Sequence, residues 1–110
     1  MSGAIKSVKH LSKDLGINED TLIREGIAEY IKNRIKACMR DRLEILSRYK
    51  ITSLEEFEKK VHEGNLPEHP GWEDLIILEN LENAITKLRK ELSNVRNISN
   101  REIFISLGQT

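Results

Sequence analysis

Apolar residues recur at steps of three and four along most of the chain, which is the spacing of one face of an α-helix. In residues 4–15 this spacing predicts a short first helix, carried by Ile5, Val8, Leu11 and Leu15. Gly16 should end that helix in a left-handed conformation, and Asn18 should cap the amino end of the next. A long second helix is predicted over residues 19–49, because no Gly–Pro stop interrupts its periodicity.

The second half of the chain again predicts a short helix followed by a long one. Ser53 and Glu56 form a capping box at the start of a third helix, which Gly64 should end. Residues 65–71 (NLPEHPG) predict a loop with both prolines as breakers, and the last helix should start at Trp72. That helix carries a heptad seam, formed by Leu78, Leu81, Ile85, Leu88, Leu92 and Val95.

So narrow a seam needs a partner helix. We expect the long second helix of the same chain, folded back as a hairpin; the alternative is the same helix of a second chain. Residues 103–107 (IFISL) are the one β-like run. They could form a short strand, a tail that folds on a partner or a frayed end. The predicted fold is all-α: a short helix, a turn, a long helix, a short helix and a closing long helix forming a helical hairpin.

Charge is distributed unevenly, although the formal net charge is zero. Residues 1–50 carry 11 Lys or Arg against 7 Asp or Glu, and residues 51–110 carry 7 against 11. This distribution has two interpretations. The basic half could bind nucleic acid and the acidic half a protein partner, or two helices of opposite charge could simply attract each other. We expect residues 1–50 to form a basic, helix-turn-helix-like half, residues 51–95 an acidic partner-binding half and residues 96–110 a tail.

The residues that catalysis and metal binding require are not grouped in this sequence. There is no Gly-rich phosphate loop and no nucleophile elbow, and the carboxylate pairs stand at helix starts, where acids complement the helix dipole. His62 and His69 match no zinc spacing. The single cysteine, the lack of an apolar run of about 20 residues and the lack of a signal peptide predict a cytoplasmic protein. We expect no enzyme, no cofactor and no metal.

Nucleic-acid binding has more support, because the first two helices have the spacing of a helix-turn-helix. The matching positions are Leu11, Ser12, Leu15, Gly16, Ile17 and Leu22. Glu25 departs from the pattern, since an apolar residue is expected there. Three acids near Arg24 would repel phosphate, whereas Lys and Arg side chains would contact it. The candidate DNA-binding residues are Lys6, Lys9, Lys13, Asn18, Thr21 and Arg24.

The region around the turn is similar to the second-helix region of ribbon-helix-helix (CopG-like) antitoxins, in which an LG turn precedes a helix of the form LIRE-x-I-x-EYI. The matching residues are Leu15, Gly16, Leu22, Ile23, Arg24, Glu25, Ile27, Glu29, Tyr30 and Ile31. That family reads DNA with an amino-terminal strand. Only about 15 residues precede Gly16, so none of its DNA-reading residues is carried over.

Residues 43–92 resemble the carboxyl half of small prokaryotic antitoxins, with its KYG-x-S-x-EEF joint, short helix, turn, acidic-aromatic patch and closing helix. The matching residues are Tyr49, Ser53, Glu56, Phe57, Gly64, Trp72 and Leu75, and Lys50 replaces the usual glycine. In such antitoxins this half wraps the toxin. The resemblance therefore implies partner-binding roles for Tyr49, Phe57, Trp72 and Leu75. The alternative for Trp72 is a core residue at the end of the hairpin.

Together these observations predict an antitoxin-like interaction protein of a prokaryotic toxin–antitoxin pair. It would be a homodimer that binds and neutralises a small protein toxin by burying its surface, without contact with a membrane. The prediction leaves open a contact with operator DNA through the amino half. The alternative is a stand-alone helix-turn-helix DNA-binding transcriptional regulator, and a third possibility is a structural helical hairpin that binds neither.

Overall fold

The fold is all-α, with the predicted order of short and long helices. The computed structural model describes the backbone of residues 2–66 and 68–97, and the side chains of residues 7–66 and 70–97. This described part of the chain contains four helices: α1 (Ser2–Leu15), α2 (Glu19–Arg48), α3 (Leu54–His62) and α4 (Glu68–Asn97). The predicted tail is still helical at residues 96 and 97, and the β-like run at residues 103–107 lies outside the described residues.

The turn between α1 and α2 is built as the sequence predicts. Gly16 has a φ of 66°, in the left-handed region that favours glycine. The Asn18 side-chain oxygen accepts hydrogen bonds from the backbone N–H groups of Asp20 at 2.8 Å and Thr21 at 3.3 Å. These bonds satisfy donors that have no acceptor inside the helix, which is why the chain turns here and resumes as α2.

The cap of α3 differs in one detail from the predicted capping box. The Ser53 hydroxyl accepts from the backbone N–H of Glu56 at 3.1 Å, as expected. The Glu56 carboxylate, however, accepts from the N–H of Thr52 at 3.0 Å and from its hydroxyl at 3.1 Å, not from the N–H of Ser53. These bonds stabilise the ionised carboxylate and lower the pKa of Glu56.

The predicted start of α4 at Trp72 is wrong, because the helix begins at Glu68. Pro70 therefore lies in the first turn and does not break the helix. Backbone N–H groups of a first turn have no intrahelical acceptor, so proline loses nothing there, and its fixed φ suits a helix. Pro67, the other predicted breaker, lies outside the described residues.

The chain forms two compact units, each assembled from separate stretches of sequence. One unit contains the residues up to Lys32 together with those from Lys90 onward, and the other runs from Asn33 to Arg89. In the first unit Ser12, Ala28 and Ile31 are buried, and the Ser12 hydroxyl donates to the Lys9 carbonyl at 3.0 Å.

The second unit contains the predicted antiparallel hairpin. Arg48 contacts Asp74, Arg42 contacts Glu82, and Met39 contacts Arg89, so position on α4 rises as position on α2 falls. The first two contacts are ion pairs between the basic and the acidic part of the chain, which is the attraction between helices of opposite sign considered above. The core contains Ile45, Leu46, Ile51, Phe57, Val61, Leu75 and Leu78.

Candidate functional site

Three large apolar side chains are exposed near the amino end of α4. Trp72 is 39% exposed, Ile76 55% and Ile77 48%. Successive residues of a helix are rotated by about 100°, so the run from Leu75 to Leu78 cannot face a single core. Leu75 and Leu78 are buried, whereas the two isoleucines between them point outward. We call the surface formed by Trp72, Ile76 and Ile77 the α4 apolar face.

The indole of Trp72 is partly supported by α3. The His62 ring, on the last turn of α3, meets the indole edge to face, with ring centroids 5.4 Å apart and planes at 80°. Trp72 and Ile76 are one helical turn apart and therefore neighbours on the surface. The aromatic side chain is thus held in place on one side and open to solvent on the other, which differs from a core residue that closes the hairpin.

A polar cluster around the buried Asp74 lies behind this face and joins α2 to α4. The Tyr49 hydroxyl donates to the carboxylate of Asp74, which is buried, and the Arg48 guanidinium lies 3.4 Å from the same carboxylate oxygen. The Tyr49 ring packs edge-on against Phe57, with centroids 4.7 Å apart. These contacts fix the amino end of α4 and α3 on the end of α2, and so hold the α4 apolar face in position.

The chain leaves α2 through a left-handed residue that is not glycine. Lys50 has a φ of 54°, and the N–H of Ile51 donates to the carbonyl of Leu46 at 3.1 Å. This is the hydrogen bond of a Schellman motif, whose left-handed position is usually glycine. Lys50 occupies this position at a cost in backbone strain, and the turn directs Ile51 into the core.

Tyr49→Phe should destabilise the protein by about 1–2 kcal/mol at neutral pH, because buried Asp74 loses a hydrogen-bond donor. Burial, with the hydrogen bond and charge of Asp74, raises the pKa of Tyr49 from 10.0 to about 12. The folded state therefore prefers the neutral phenol. This contribution to stability is complete below the unfolded pKa and is lost as the pH rises through the folded pKa. Urea unfolding at increasing pH should show the loss in the wild type and not in Tyr49→Phe.

The structure separates the four predicted partner-binding residues. Phe57 and Leu75 belong to the core, and Tyr49 is half-buried in the polar cluster. Of the four, Trp72 alone presents a large exposed surface. Ile76 and Ile77 were not among the predicted site residues. The signal that identifies them is the run of four consecutive apolar residues in a helix.

The predicted DNA-binding residues lie on α1, in the turn after it and on the first turns of α2. Lys9 and Lys13 are exposed on α1, whereas the Lys6 side chain lies outside the described residues. Asn18 caps α2 with its side chain, and Thr21 and Arg24 are half-buried, Arg24 being engaged in an interaction.

The corner between α1 and α2 holds a cleft of about 470 Å³ with an acidic wall. Its lining residues are Ser12, Lys13, Gly16, Ile17, Asn18, Glu19 and Asp20. One carboxylate oxygen of Asp20 is buried there and accepts no hydrogen bond within the described residues. Glu19 and Asp20 therefore place negative charge where a recognition helix would meet phosphate.

No group of three His, Cys, Asp or Glu side chains is placed to hold a metal ion within residues 7–66 and 70–97. In the same part of the chain, no helix has both the length and the apolar composition needed to cross a bilayer. Cys38 is buried and carries a free thiol.

Comparison with known proteins gives one assignment. No curated protein and no solved structure matches the chain. Residues 1–100 match the Uncharacterized protein MJ0235 family, and this span contains all four helices. The chain therefore belongs to the MJ0235 family.

Proposed function

We propose that this chain is an antitoxin-like interaction protein of a prokaryotic toxin–antitoxin pair, which binds and neutralises a small protein toxin through the α4 apolar face. The observation that carries the proposal is the exposure of Trp72, Ile76 and Ile77 on a helix whose other side is anchored in a core. Large apolar side chains exposed close together, as Trp72 and Ile76 are one turn apart, mark interaction sites. The antitoxin assignment rests on the resemblance of residues 43–92 described above.

The face fits an apolar groove on the partner. Trp72 and Ile76, one turn apart, are spaced as the anchors of a helix that lies in a groove. Residues 68–86 contain five acidic residues and no Lys or Arg, so the partner's groove should be flanked by basic residues. Neutralisation would follow from burial of the toxin surface that this helix covers.

A stand-alone DNA-binding regulator has weaker support from the same structure. Its recognition helix would begin at the acidic corner, and the side chain of Asn18 is already used as a cap. Lys9 and Lys13 on α1 would still be available to contact phosphates. Such a regulator would bind duplex DNA with a steep dependence on salt.

Affinity purification from the native host, with nuclease treatment and intact-mass detection, tests the proposal. The wild type should retain a small protein in stoichiometric amount, whose expression alone arrests growth and whose toxicity this chain relieves. Ile76→Glu should abolish both capture and rescue, because it places a charge in the interface. Leu43→Glu is the matched control: Leu43 is 63% exposed on α2, and its substitution should change neither result.

Other outcomes would contradict the proposal. Recovery of DNA fragments alone, lost on nuclease treatment, would indicate the stand-alone regulator. Recovery of this chain alone would indicate a structural helical hairpin. If Ile76→Glu captured the partner protein as well as Leu43→Glu does, the α4 apolar face would not be the binding surface.

A further inference from the structure

A second exposed apolar surface lies on α2, within the first compact unit. Tyr30 is 66% exposed and Ile27 is also exposed. Each stands one position before a buried residue, Ala28 or Ile31, so the exposed pair lies about 100° around the helix from the buried pair. We call the surface formed by Gly26, Ile27 and Tyr30 the α2 apolar face.

Gly26 gives this face a place where another helix can approach closely. It lies one turn before Tyr30, and a methyl group at Gly26 would meet no atom within 4 Å in the part of the chain that the structure describes. Glycine within a helix lowers its stability relative to alanine. No packing within the described chain accounts for it, whereas the ring of a tyrosine from another helix would fit over it.

The charges along α2 identify the helix that fits. Residues 19–29 contain four acidic residues and one Arg, whereas residues 31–40 contain four basic residues and no acidic one. An antiparallel copy of α2 would place the acidic segment of each helix opposite the basic segment of the other. A parallel copy would place like charges together. The face is therefore complementary to itself about a two-fold axis, as a symmetric dimer requires.

We propose that two copies of this chain associate through antiparallel α2 helices, with Tyr30 of each copy packed over Gly26 of the other. The two residues are four positions apart, so an axis passing near residue 28 makes both contacts at once. Opposed charges on either side fix the orientation of the helices. This inference does not depend on the proposed function, because it concerns a different helix and a different partner.

Sedimentation from about 1 to about 100 µM tests the inference on the full chain. The wild type should show a concentration-dependent dimer. Gly26→Gln should raise the dissociation constant at least about tenfold, because glutamine blocks the close approach of the second helix. At a concentration where both proteins are monomeric, its thermal midpoint should equal or exceed that of the wild type, because glutamine favours the helix. Tyr30→Ala should weaken the dimer similarly. Leu43→Ala, which removes an exposed side chain on another side of α2, should leave it unchanged.

Salt gives an independent test of the orientation. The antiparallel dimer should weaken as the salt concentration rises, because salt screens attraction between opposite charges. A dimer that strengthens with salt would have like charges opposed and would overturn the antiparallel arrangement. A chain that stays monomeric throughout, or a dimer that neither Gly26→Gln nor Tyr30→Ala weakens, would overturn the inference altogether.

Discussion

Phe57→Ala should lower the free energy of unfolding by about 3–5 kcal/mol, the cost of a large cavity in a well-packed core. Phe57 is 0% exposed. Its ring belongs to a cluster with Leu46 of α2 and with Leu75 and Leu78 of α4. The loss would be a large fraction of the 5–15 kcal/mol by which a domain is typically stable, so we expect partial unfolding near physiological temperature.

Urea unfolding followed by circular dichroism would measure this effect. Lys59→Ala is a suitable control, because Lys59 is exposed on the same short helix and alanine favours the helical state. The free energy of unfolding of this control should lie within about 0.5 kcal/mol of the wild-type value. A fall of less than about 1 kcal/mol in the free energy of unfolding of Phe57→Ala would contradict the packing of α3 against the hairpin.

The order and type of the helices could be predicted from the sequence because local chemistry determines them. The turn at Gly16 and Asn18 needs only a left-handed residue followed by a side-chain acceptor, and both are read directly from the sequence. The hairpin was predicted from the narrow seam of α4, and the ion pairs of the second unit confirm it. The start of α4 was missed because a proline breaks the interior of a helix but not its first turn.

The candidate site could be predicted only in part, because a resemblance does not show which apolar residues a small core requires. α3 has nine residues, and its buried residues are Phe57 and Val61, one turn apart. The apolar edge of α3 is therefore buried in the core, and Phe57 has no exposed surface that a partner could contact. In α4 the core buries Leu75 and Leu78, and the two isoleucines between them remain exposed as part of the α4 apolar face.

Trp72→Ala should weaken binding of the proposed partner by about 2 kcal/mol or more, which is roughly a thirtyfold rise in the dissociation constant. Aromatic side chains at the centre of an interface often carry this much energy. The free energy of unfolding should fall by no more than about 1 kcal/mol, because the indole is partly exposed in the unbound chain. Helicity should remain close to that of the wild type.

Binding and stability measured on the same variants separate an anchor from a structural residue. His62→Ala removes the ring that supports the indole and leaves the indole in place, so it should raise the dissociation constant less than Trp72→Ala does. If Trp72→Ala instead lowered helicity and stability strongly, the indole would be part of the core. If it changed neither stability nor affinity, the partner would bind elsewhere. Only a large loss of affinity with the fold retained agrees with a tryptophan that α3 holds in place for a partner.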